Sequence, residues 1–317
     1  MRAPQTRPRI AVTLGDPRGI GPEVAAAVLE DPSLADEAEL VPVGPAGVLE
    51  HARLLEVGRW SAGADAAEAG RLAGEAVRVA VEMAMAGDVA GIVTAPIDKA
   101  AFHAGGWHYP GHTEMLQALS GAPRVGMLMA AERTVAGNGL RVLLATTHLA
   151  LRDVPAAVTR ELLVEQSRLV DAALRGWWGI DPPRIALCAF NPHASDGGLF
   201  GDEEARLYAP ALRDLAAAGV DATGPVPADT VFTRALRGEF DVVVAPYHDV
   251  GMAAFKTVAF GSGVNVTLGL PFPRTSPDHG TALDIAGRGV ADAGSMREAT
   301  RLAIRLSRGL ESPAPRG

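Results

Sequence analysis

Three histidines each follow an apolar run of strand length, and their placement offers the clearest chemistry in this chain. The runs are LRVLLATTHL with His148, RIALCAFNPHASDGG with His193, and FDVVVAPYHDVG with His248. Continuous apolar runs closed by small or turn-forming residues are typical of strands buried on both faces of a parallel sheet. Ligands bind beyond the carboxyl ends of such strands. One such histidine is usually structural, but three in matching positions suit a divalent metal with one coordination position open.

Two glycine-rich segments have the composition of anion-binding loops. LGDPRGIGPEV (14–24) follows a predicted strand and opens a helix, where backbone N–H groups can meet an anion. FGSGVNVTLG (260–269) leads into a strand instead. Neither has the G-x-G-x-x-G spacing of the Rossmann motif, and a tight turn explains either loop alone. A nucleotide that binds here therefore does so without the usual motif.

A third polar segment, YPGHTEML (109–116), places His112 and Thr113 at a predicted helix start. Thr113 has the residue type of a helix cap and equally that of a ligand contact. Lys256 and Asn265, taken singly, are typical of surface or turn positions.

The segment GLPFPRTSPDHGTALDIAGRGVAD (269–292) is polar and rich in glycine and proline. It brings Arg274, Asp278 and His279 into an irregular stretch, and a helix is expected near 279–287. Ordered polar loops of this kind are more often functional than not.

The elements that must position these groups alternate between strand and helix along nearly the whole chain. Strands are predicted at 9–14, 39–43, 89–95, 124–130, 140–147, 184–190, 240–246 and 264–268. Helices are predicted from Pro22, at 68–86, from about Ile97, and at 156–176, 203–219, 279–287 and 294–309. The Asn-Gly pair at 138–139 suits a hairpin between two of these strands. This rhythm predicts an α/β fold.

Composition narrows the class of protein. The 317 residues exceed the usual size of a single core, so two α/β domains or one large one are expected. A net charge of −8 without a basic stripe argues against nucleic-acid binding. The N-terminus lacks an apolar signal region and no apolar stretch reaches about 18 residues, which predicts a cytoplasmic protein. The lone cysteine, Cys188, is predicted to be a buried, inert thiol.

Taken together, these segments resemble the 4-hydroxythreonine-4-phosphate dehydrogenase family of pyridoxal phosphate biosynthesis over nearly the whole chain. The matching strings are TLGDPRGIGPE, TAPIDKAAFHAGG, PGHTEML, TTHLALRDVPAAVT, NPHASDGGLFGDEE, GPVPADTVF, YHDVG and FGSGVNVTLGLPFPRTSPDHGTALDIAGRGVAD. The resemblance implies the isocitrate and isopropylmalate dehydrogenase fold, with two α/β/α domains and a cleft between them. We expect residues 1–128 and 268–317 to form the domain with the nucleotide-side loops. Residues 129–267 would then form the domain that carries the metal and the dimer contacts.

The resemblance also implies a role for each matching residue. The implied metal ligands, for Zn, Mg, Mn or Co, are His148, His193 and His248. The implied substrate-binding residues are His112, Thr113, Lys256, Asn265 and Arg274. The implied contacts to NAD or NADP are Gly15, Asp16, Asp278, His279, Gly280 and Thr281. Lys256 and Asp229 are the candidates for proton transfer, and a homodimer with a shared active site is expected.

These residue types fit an oxidative decarboxylation. A divalent cation can bind a substrate hydroxyl and an adjacent carboxylate oxygen and lower the pKa of the hydroxyl. Hydride then passes to C4 of the nicotinamide, and the resulting ketone, β to a carboxylate, loses CO₂. The expected substrate is a phosphorylated hydroxy acid, of the 4-phosphooxy-L-threonine or the 4-phospho-D-threonate/erythronate type.

Other functions remain open at this point. Val250, Ser262 and Pro246 stand where the biosynthetic enzymes usually carry Gln, Arg and Met, and residues 57–72 look shortened. A cis-dihydrodiol carboxylate dehydrogenase of the same family is therefore an alternative, although Arg274 favours a phosphorylated substrate. A zinc hydrolase with three histidine ligands, or a metal-binding protein without catalysis, would use the same imidazoles. In a hydrolase, Asp249 or Asp153 would be the base.

Overall fold

The computed structural model describes residues 7–311. Residues 1–6 and 312–317 lie outside the described residues. Residues 1–6 belong to the N-terminal stretch in which no signal peptide is expected. The two outer ends of the first predicted domain, 1–128 and 268–317, are therefore not described. The described chain forms two compact units, residues 7–125 with 270–311 and residues 126–269. Within the part of the chain described, every helix is too short or too polar to cross a membrane.

Strands and helices alternate as the sequence pattern predicts. The strands are β1 Arg9–Thr13, β2 Glu39–Ala46, β3 Leu55–Arg59, β4 Gly91–Thr94, β5 Gly126–Ala131, β6 Leu140–Leu144, β7 Ile185–Cys188, β8 Ala222–Val226, β9 Val242–Ala245, β10 Val264–Leu268 and β11 Arg274–Pro277. The helices are α1 Gly21–Leu29, α2 Pro32–Glu37, α3 Ala66–Ala86, α4 Lys99–Ala104, α5 His112–Ser120, α6 Val154–Ala157, α7 Arg160–Ala173, α8 Ala209–Ala217, α9 Ala228–Leu236, α10 His248–Ala259 and α11 Gly294–Glu311. The predicted α/β class is confirmed.

The first unit is built on parallel strands in the order β3-β2-β1-β4-β11. Its longest described helix, α3, is capped at its N-terminus by Asp65, whose carboxylate accepts the Glu68 N–H at 2.9 Å, and at its C-terminus by Gly87, which has a φ of 79°. The apolar face of α3 packs on the sheet together with Phe102 and Met115. These are the ordinary start and stop signals of a helix, and they fix where α3 begins and ends.

The second unit has the strand order β10-β5-β6-β9-β7-β8. The predicted hairpin is present, because β5 pairs antiparallel with β6, whereas β6, β9, β7 and β8 are parallel to one another. Helix α10 covers β6 so closely that a Cβ on Gly251 would lie 2.5 Å from Leu144 Cδ2. The core of this unit lies between these strands and α9 and α10.

The structure corrects two expectations about the polar segment 269–292. The helix predicted near 279–287 is absent, and the chain forms turns there. Ala282 has a left-handed φ of 41°, which a right-handed helix does not allow. The Thr281 carbonyl accepts the Ile20 N–H at 2.9 Å. This hydrogen bond to the loop after β1 takes the place of one within a helix. In addition, the stretch that begins at Arg274 is the buried strand β11 rather than an irregular loop.

Candidate active site

The three histidines follow three neighbouring parallel strands of the second unit. In the sheet β9 lies between β6 and β7, and His148, His248 and His193 come after β6, β9 and β7 respectively. All three therefore lie beyond the carboxyl ends of strands at one edge of the sheet, which is where α/β proteins bind ligands.

Two of these imidazoles are neighbours. The ring centroids of His148 and His248 are 5.7 Å apart, and both rings line a pocket of about 100 Å³. Nδ1 of His248 lies 2.7 Å from Oδ1 of Asp249. An Nδ1–H tautomer donates to that carboxylate and leaves Nε2 as the acceptor atom, the orientation seen in metal-binding histidines.

His193 is placed by a loop rather than by its strand. It lies in the segment Pro192–Gly198, whose backbone is left-handed at residues 193–197, and is exposed. Among the described residues, no three His, Cys, Asp or Glu side chains lie close enough together to hold a metal ion. His193 therefore does not converge with His148 and His248 within one chain, and the assignment of all three to one metal stays a prediction.

The loop around His193 is held by Glu204, a residue that the sequence analysis did not single out. Glu204 is 5% exposed and accepts hydrogen bonds from Phe190, Asn191 and Ser195. Burial opposes ionisation of its carboxyl group, but the hydrogen bonds outweigh burial and lower the pKa of Glu204 below its ordinary value. The string GDEE is the only local signal for this residue, and nothing in it predicts burial.

In the first unit, Arg274 opens β11 and is 2% exposed. Its Nε and Nη2 donate to Thr94 Oγ1 at 3.2 and 2.5 Å, and Thr94 ends the neighbouring strand β4. Burial lowers the pKa of Arg274 to about 9, and the negative charge of Glu114 opposes this shift. The guanidinium therefore stays charged at neutral pH in an environment that favours a nearby anion.

His112, the first residue of α5, contributes a second buried polar atom to this unit. Its Nε2 is shielded from solvent and has no hydrogen-bond partner in the structure. Burial holds the pKa of His112 well below its ordinary value of 6.5, and the positive charges of Arg274 and Lys99 add to the shift. His112 is therefore neutral at pH 7 and has a ring nitrogen available to a ligand.

The remaining predicted substrate and proton-transfer residues are placed as follows. Thr113 is half-buried in the first turn of α5. Lys256 is half-buried on α10, the helix that begins at His248. Asn265 lies on β10, and its Oδ1 is buried without a hydrogen-bond partner. Asp229 is exposed in the first turn of α9.

The two predicted cofactor loops contact each other in the first unit. Gly15 has a φ of 70°, and a Cβ there would lie 2.3 Å from the Pro96 carbonyl oxygen, so only glycine suits this turn. Asp16 is buried and is bound by Arg18 at both carboxylate oxygens, at 3.0 and 2.7 Å. The Ile20–Thr281 hydrogen bond joins this loop to the segment 278–287.

The other predicted cofactor contacts lie in that second segment. The Asp278 N–H donates to Ser295 Oγ at 3.2 Å, which ties the segment to α11. His279 is half-buried, and its Nε2 is shielded from solvent without a hydrogen-bond partner. Gly280 is exposed, and a Cβ built on it would contact nothing within 4 Å.

The fold places the chain in a known class of α/β proteins. It superposes on isocitrate dehydrogenase from Methylococcus capsulatus with a TM-score of 0.53 and 16% identity, over 96% of this chain and 87% of that one. At this identity the likeness concerns the fold, and it confirms the predicted isocitrate dehydrogenase-like architecture.

Sequence comparison identifies the family. Residues 12–303 match the family described as pyridoxal phosphate biosynthetic protein PdxA, and the chain belongs to that family. It is 43% identical to a 4-hydroxythreonine-4-phosphate dehydrogenase from Beijerinckia indica, over 94% of each chain. The crystal structure of the Klebsiella pneumoniae 4-hydroxythreonine-4-phosphate dehydrogenase superposes with a TM-score of 0.86 and 37% identity, over 96% of this chain and 99% of that one. The predicted family is confirmed.

A relative with a different named substrate is more distant. The terephthalate 1,2-cis-dihydrodiol dehydrogenase from Burkholderia xenovorans superposes with a TM-score of 0.67 and 29% identity, over 94% of this chain and 98% of that one. Both values are below those for the Klebsiella enzyme.

Proposed function

We propose that this protein is a dehydrogenase that uses NAD or NADP to oxidise the secondary hydroxyl of a phosphorylated hydroxy acid, followed by loss of CO₂. The proposed substrate is of the 4-phosphooxy-L-threonine or 4-phospho-D-threonate/erythronate type. The observation that carries this proposal is the buried guanidinium of Arg274 in a chain whose closer structural relatives are 4-hydroxythreonine-4-phosphate dehydrogenases. The lower similarity to the dihydrodiol enzyme supports the same choice.

The substrate phosphate is assigned to the basic side chains of the first unit. Arg274 is a buried cation and Lys99 adds a second positive charge near His112. An anion would offset the cost of burying the guanidinium, and charge-assisted hydrogen bonds contribute about 1.5–3 kcal/mol each. Neutral His112 can donate a hydrogen bond from Nε2 without adding charge, and Thr113 lies beside it in the first turn of α5.

The metal is assigned to the three histidines, with the third supplied by a second copy of the chain. Neutral imidazoles are suitable donors for a divalent ion, and the pair formed by His148 and His248 fits two of the ligands. Because His193 of the same chain does not join them, we assign the third ligand to the same histidine of a homodimer partner. A bound Zn, Mg, Mn or Co ion would supply the Lewis acidity that lowers the pKa of the substrate hydroxyl.

Exposed apolar side chains near these histidines support the proposal that a second chain covers this surface. Large hydrophobic residues in solvent commonly mark interaction sites when they lie together. Those in the loops of His148 and His193 are Leu149 (47% exposed), Leu151 (65%), Leu199 (73%) and Phe200 (46%). A homodimer contact in residues 129–267, the proposed metal and dimer domain, would bury them.

Proton transfer is assigned to Lys256 or Asp229. Lys256 is half-buried on the same helix as His248, and lysine is one of the residue types that transfer protons in enzymes. Asp229 lies in the first turn of α9 and is exposed, so its carboxylate is accessible to a substrate. Asn265 on β10, with its unsatisfied Oδ1, is assigned to bind the substrate as a hydrogen-bond acceptor.

The nicotinamide cofactor is assigned to the joined loops that contain Gly15, Asp16 and residues 278–281, within the proposed domain of residues 1–128 and 268–317. Their contact through Ile20 and Thr281 supports a single binding surface.

The test is NADH or NADPH formation from a panel of phosphorylated hydroxy acids with added Zn²⁺, Mg²⁺, Mn²⁺ or Co²⁺. Arg274→Ala should raise the KM for the phosphorylated substrate on the order of 10- to 100-fold, which corresponds to one or two lost charge-assisted hydrogen bonds. Arg274→Lys should recover only part of the loss, because an ammonium lacks the planar fork. Arg301→Ala, on the exposed face of α11, is the control and should leave KM unchanged.

Two results would contradict the proposal. Turnover of an unphosphorylated dihydrodiol carboxylate at the rate of the best phosphorylated acid would assign the protein to the dihydrodiol branch. Failure to bind NAD⁺ or NADP⁺ in a thermal-shift assay would favour the hydrolase, which has no use for either.

A further inference from the structure

The loop that carries His193 has a backbone conformation that its own residues disfavour. Residues 193 to 197 are all left-handed, with φ values of 53°, 55°, 69°, 44° and 68°, and only the last is glycine. Non-glycine residues rarely adopt this region, because the Cβ atom comes too close to the following carbonyl oxygen. A run of four such residues persists only if the surrounding structure holds it.

Glu204 supplies the contacts that hold this loop. Its Oε1 accepts the backbone N–H of Phe190 at 3.0 Å and that of Asn191 at 2.7 Å. Its Oε2 accepts the Asn191 side-chain amide at 2.9 Å and also the Ser195 hydroxyl. One buried carboxylate thus binds the chain on both sides of His193.

We propose that Glu204 is a positioning residue for His193, because it fixes the strained loop that presents this imidazole to its ligand. The inference deepens the proposed function, since it rests on His193 being a metal ligand. The side chain of Glu204 touches neither the substrate nor the metal in this role. Its effect is to keep one loop conformation populated before the metal binds.

The chemistry of the four hydrogen bonds explains why a carboxylate is required. All four groups that face Glu204 donate, and an ionised carboxylate only accepts. In Glu204→Gln the volume is nearly unchanged, but the amide nitrogen would face at least one donor. That variant therefore removes the anchor without creating a cavity.

The experiment measures two properties of the full chain in solution, free of metal and then titrated with Zn²⁺. Amide hydrogen exchange of residues 190–200 reports the loop, and calorimetric titration reports the metal. Glu204→Gln should exchange faster in this segment and bind Zn²⁺ on the order of 10-fold more weakly, as is usual when support around a ligand is lost. His193→Ala should weaken Zn²⁺ binding without changing exchange elsewhere in the loop. Glu239→Gln, which removes a surface carboxylate paired with Arg234, should match the wild type in both measurements.

The outcomes separate this inference from the proposed function. Unchanged exchange in Glu204→Gln, or unchanged Zn²⁺ affinity when His193→Ala binds weakly, would overturn the positioning role and leave the metal site standing. Wild-type Zn²⁺ affinity in His193→Ala would instead refute the assignment of His193 as a metal ligand. In that case, faster amide exchange in Glu204→Gln would still show that Glu204 holds the loop. If Glu204→Gln does not fold, Ser195→Ala removes one of the four bonds and should show the same two effects to a smaller degree.

Discussion

At the scale of single residues, burial sets the protonation of the two groups assigned to the phosphate. Burial shifts both His112 and Arg274 towards their neutral forms, but from very different starting values. The pKa of His112 falls well below 6.5, whereas that of Arg274 falls only to about 9. At pH 7 one side chain is thus a neutral hydrogen-bonding group and the other a cation, which is a suitable pair for a phosphate dianion.

The depressed pKa of His112 predicts a pH dependence of stability. Below about pH 6.5 the unfolded chain binds a proton at His112 and the folded protein does not, so the free energy of unfolding rises with pH up to 6.5 and falls as the pH decreases below it. His112→Gln should reduce the loss of stability between pH 6.5 and pH 5, as measured by urea denaturation. His108→Gln changes an exposed histidine and should keep the wild-type loss. Equal pH dependence in His112→Gln and the wild type would disprove the linkage.

At the scale of elements, the loop after β1 and the segment 278–287 form one structural feature. The tight turn at Gly15, the Asp16–Arg18 pair and the Ile20–Thr281 hydrogen bond hold it together. Its glycines are not equivalent. A Cβ at Gly19 would lie 2.8 Å from the Thr281 carbonyl oxygen, whereas a Cβ at Gly280 would meet no protein atom.

This difference makes Gly280 a direct probe of the proposed cofactor surface. Gly280→Val places its side chain in open space, so the fold and the melting temperature should be unchanged, and only a bound cofactor would be displaced. We expect the KM for NAD⁺ or NADP⁺ to rise on the order of 10-fold or more, an effect of about 1.4 kcal/mol. Gly176→Val, also in open space but in the second unit, is the matched control. An unchanged cofactor KM in Gly280→Val would remove this segment from the cofactor site.

At the scale of the whole molecule, the proposed metal site needs two chains. The parallel order of β6, β9 and β7 brings the three histidines to one edge of a sheet, but within the described residues of one chain His193 does not converge with the other two. A symmetric dimer can supply the missing ligand to each site. Because of the two-fold axis, the His193 loop of each chain reaches the site of the other chain in the same way.

Mixing inactive variants tests this arrangement. If His148 and His248 of one chain act with His193 of the other, a mixed dimer of His148→Ala and His193→Ala contains one site with all three histidines. Random reassembly should then restore roughly a quarter of wild-type activity, since half of the dimers are mixed and each has one intact site of two. A mixture of His148→Ala and His248→Ala should stay inactive, because in every dimer each site lacks either His148 or His248. Failure of the first mixture to recover activity, with dimers confirmed by mass, would argue against the shared site.

The amino-acid sequence by itself determined the strand and helix rhythm, the family, and the delivery of three histidines to one sheet edge. These features depend on local order. A buried parallel strand is a continuous apolar run, and the residue after it must lie at the carboxyl edge. The antiparallel pairing of β5 with β6 and the buried thiol of Cys188, whose pKa burial raises to about 12, follow from equally local signals, although the connection spans residues 132–139 rather than the Asn-Gly pair alone.

Only the tertiary structure decided which polar groups are buried and what they contact. Thr94 and Arg274 meet because β4 and β11 are neighbours in a sheet, although 180 residues separate them along the chain. The turns at 279–287 replace a predicted helix because a distant loop binds the Thr281 carbonyl. The left-handed loop at His193 exists because Glu204 returns to it from the following segment. Each of these features depends on hydrogen bonds between separate segments of the chain. The local pattern of apolar and polar residues does not predict such bonds.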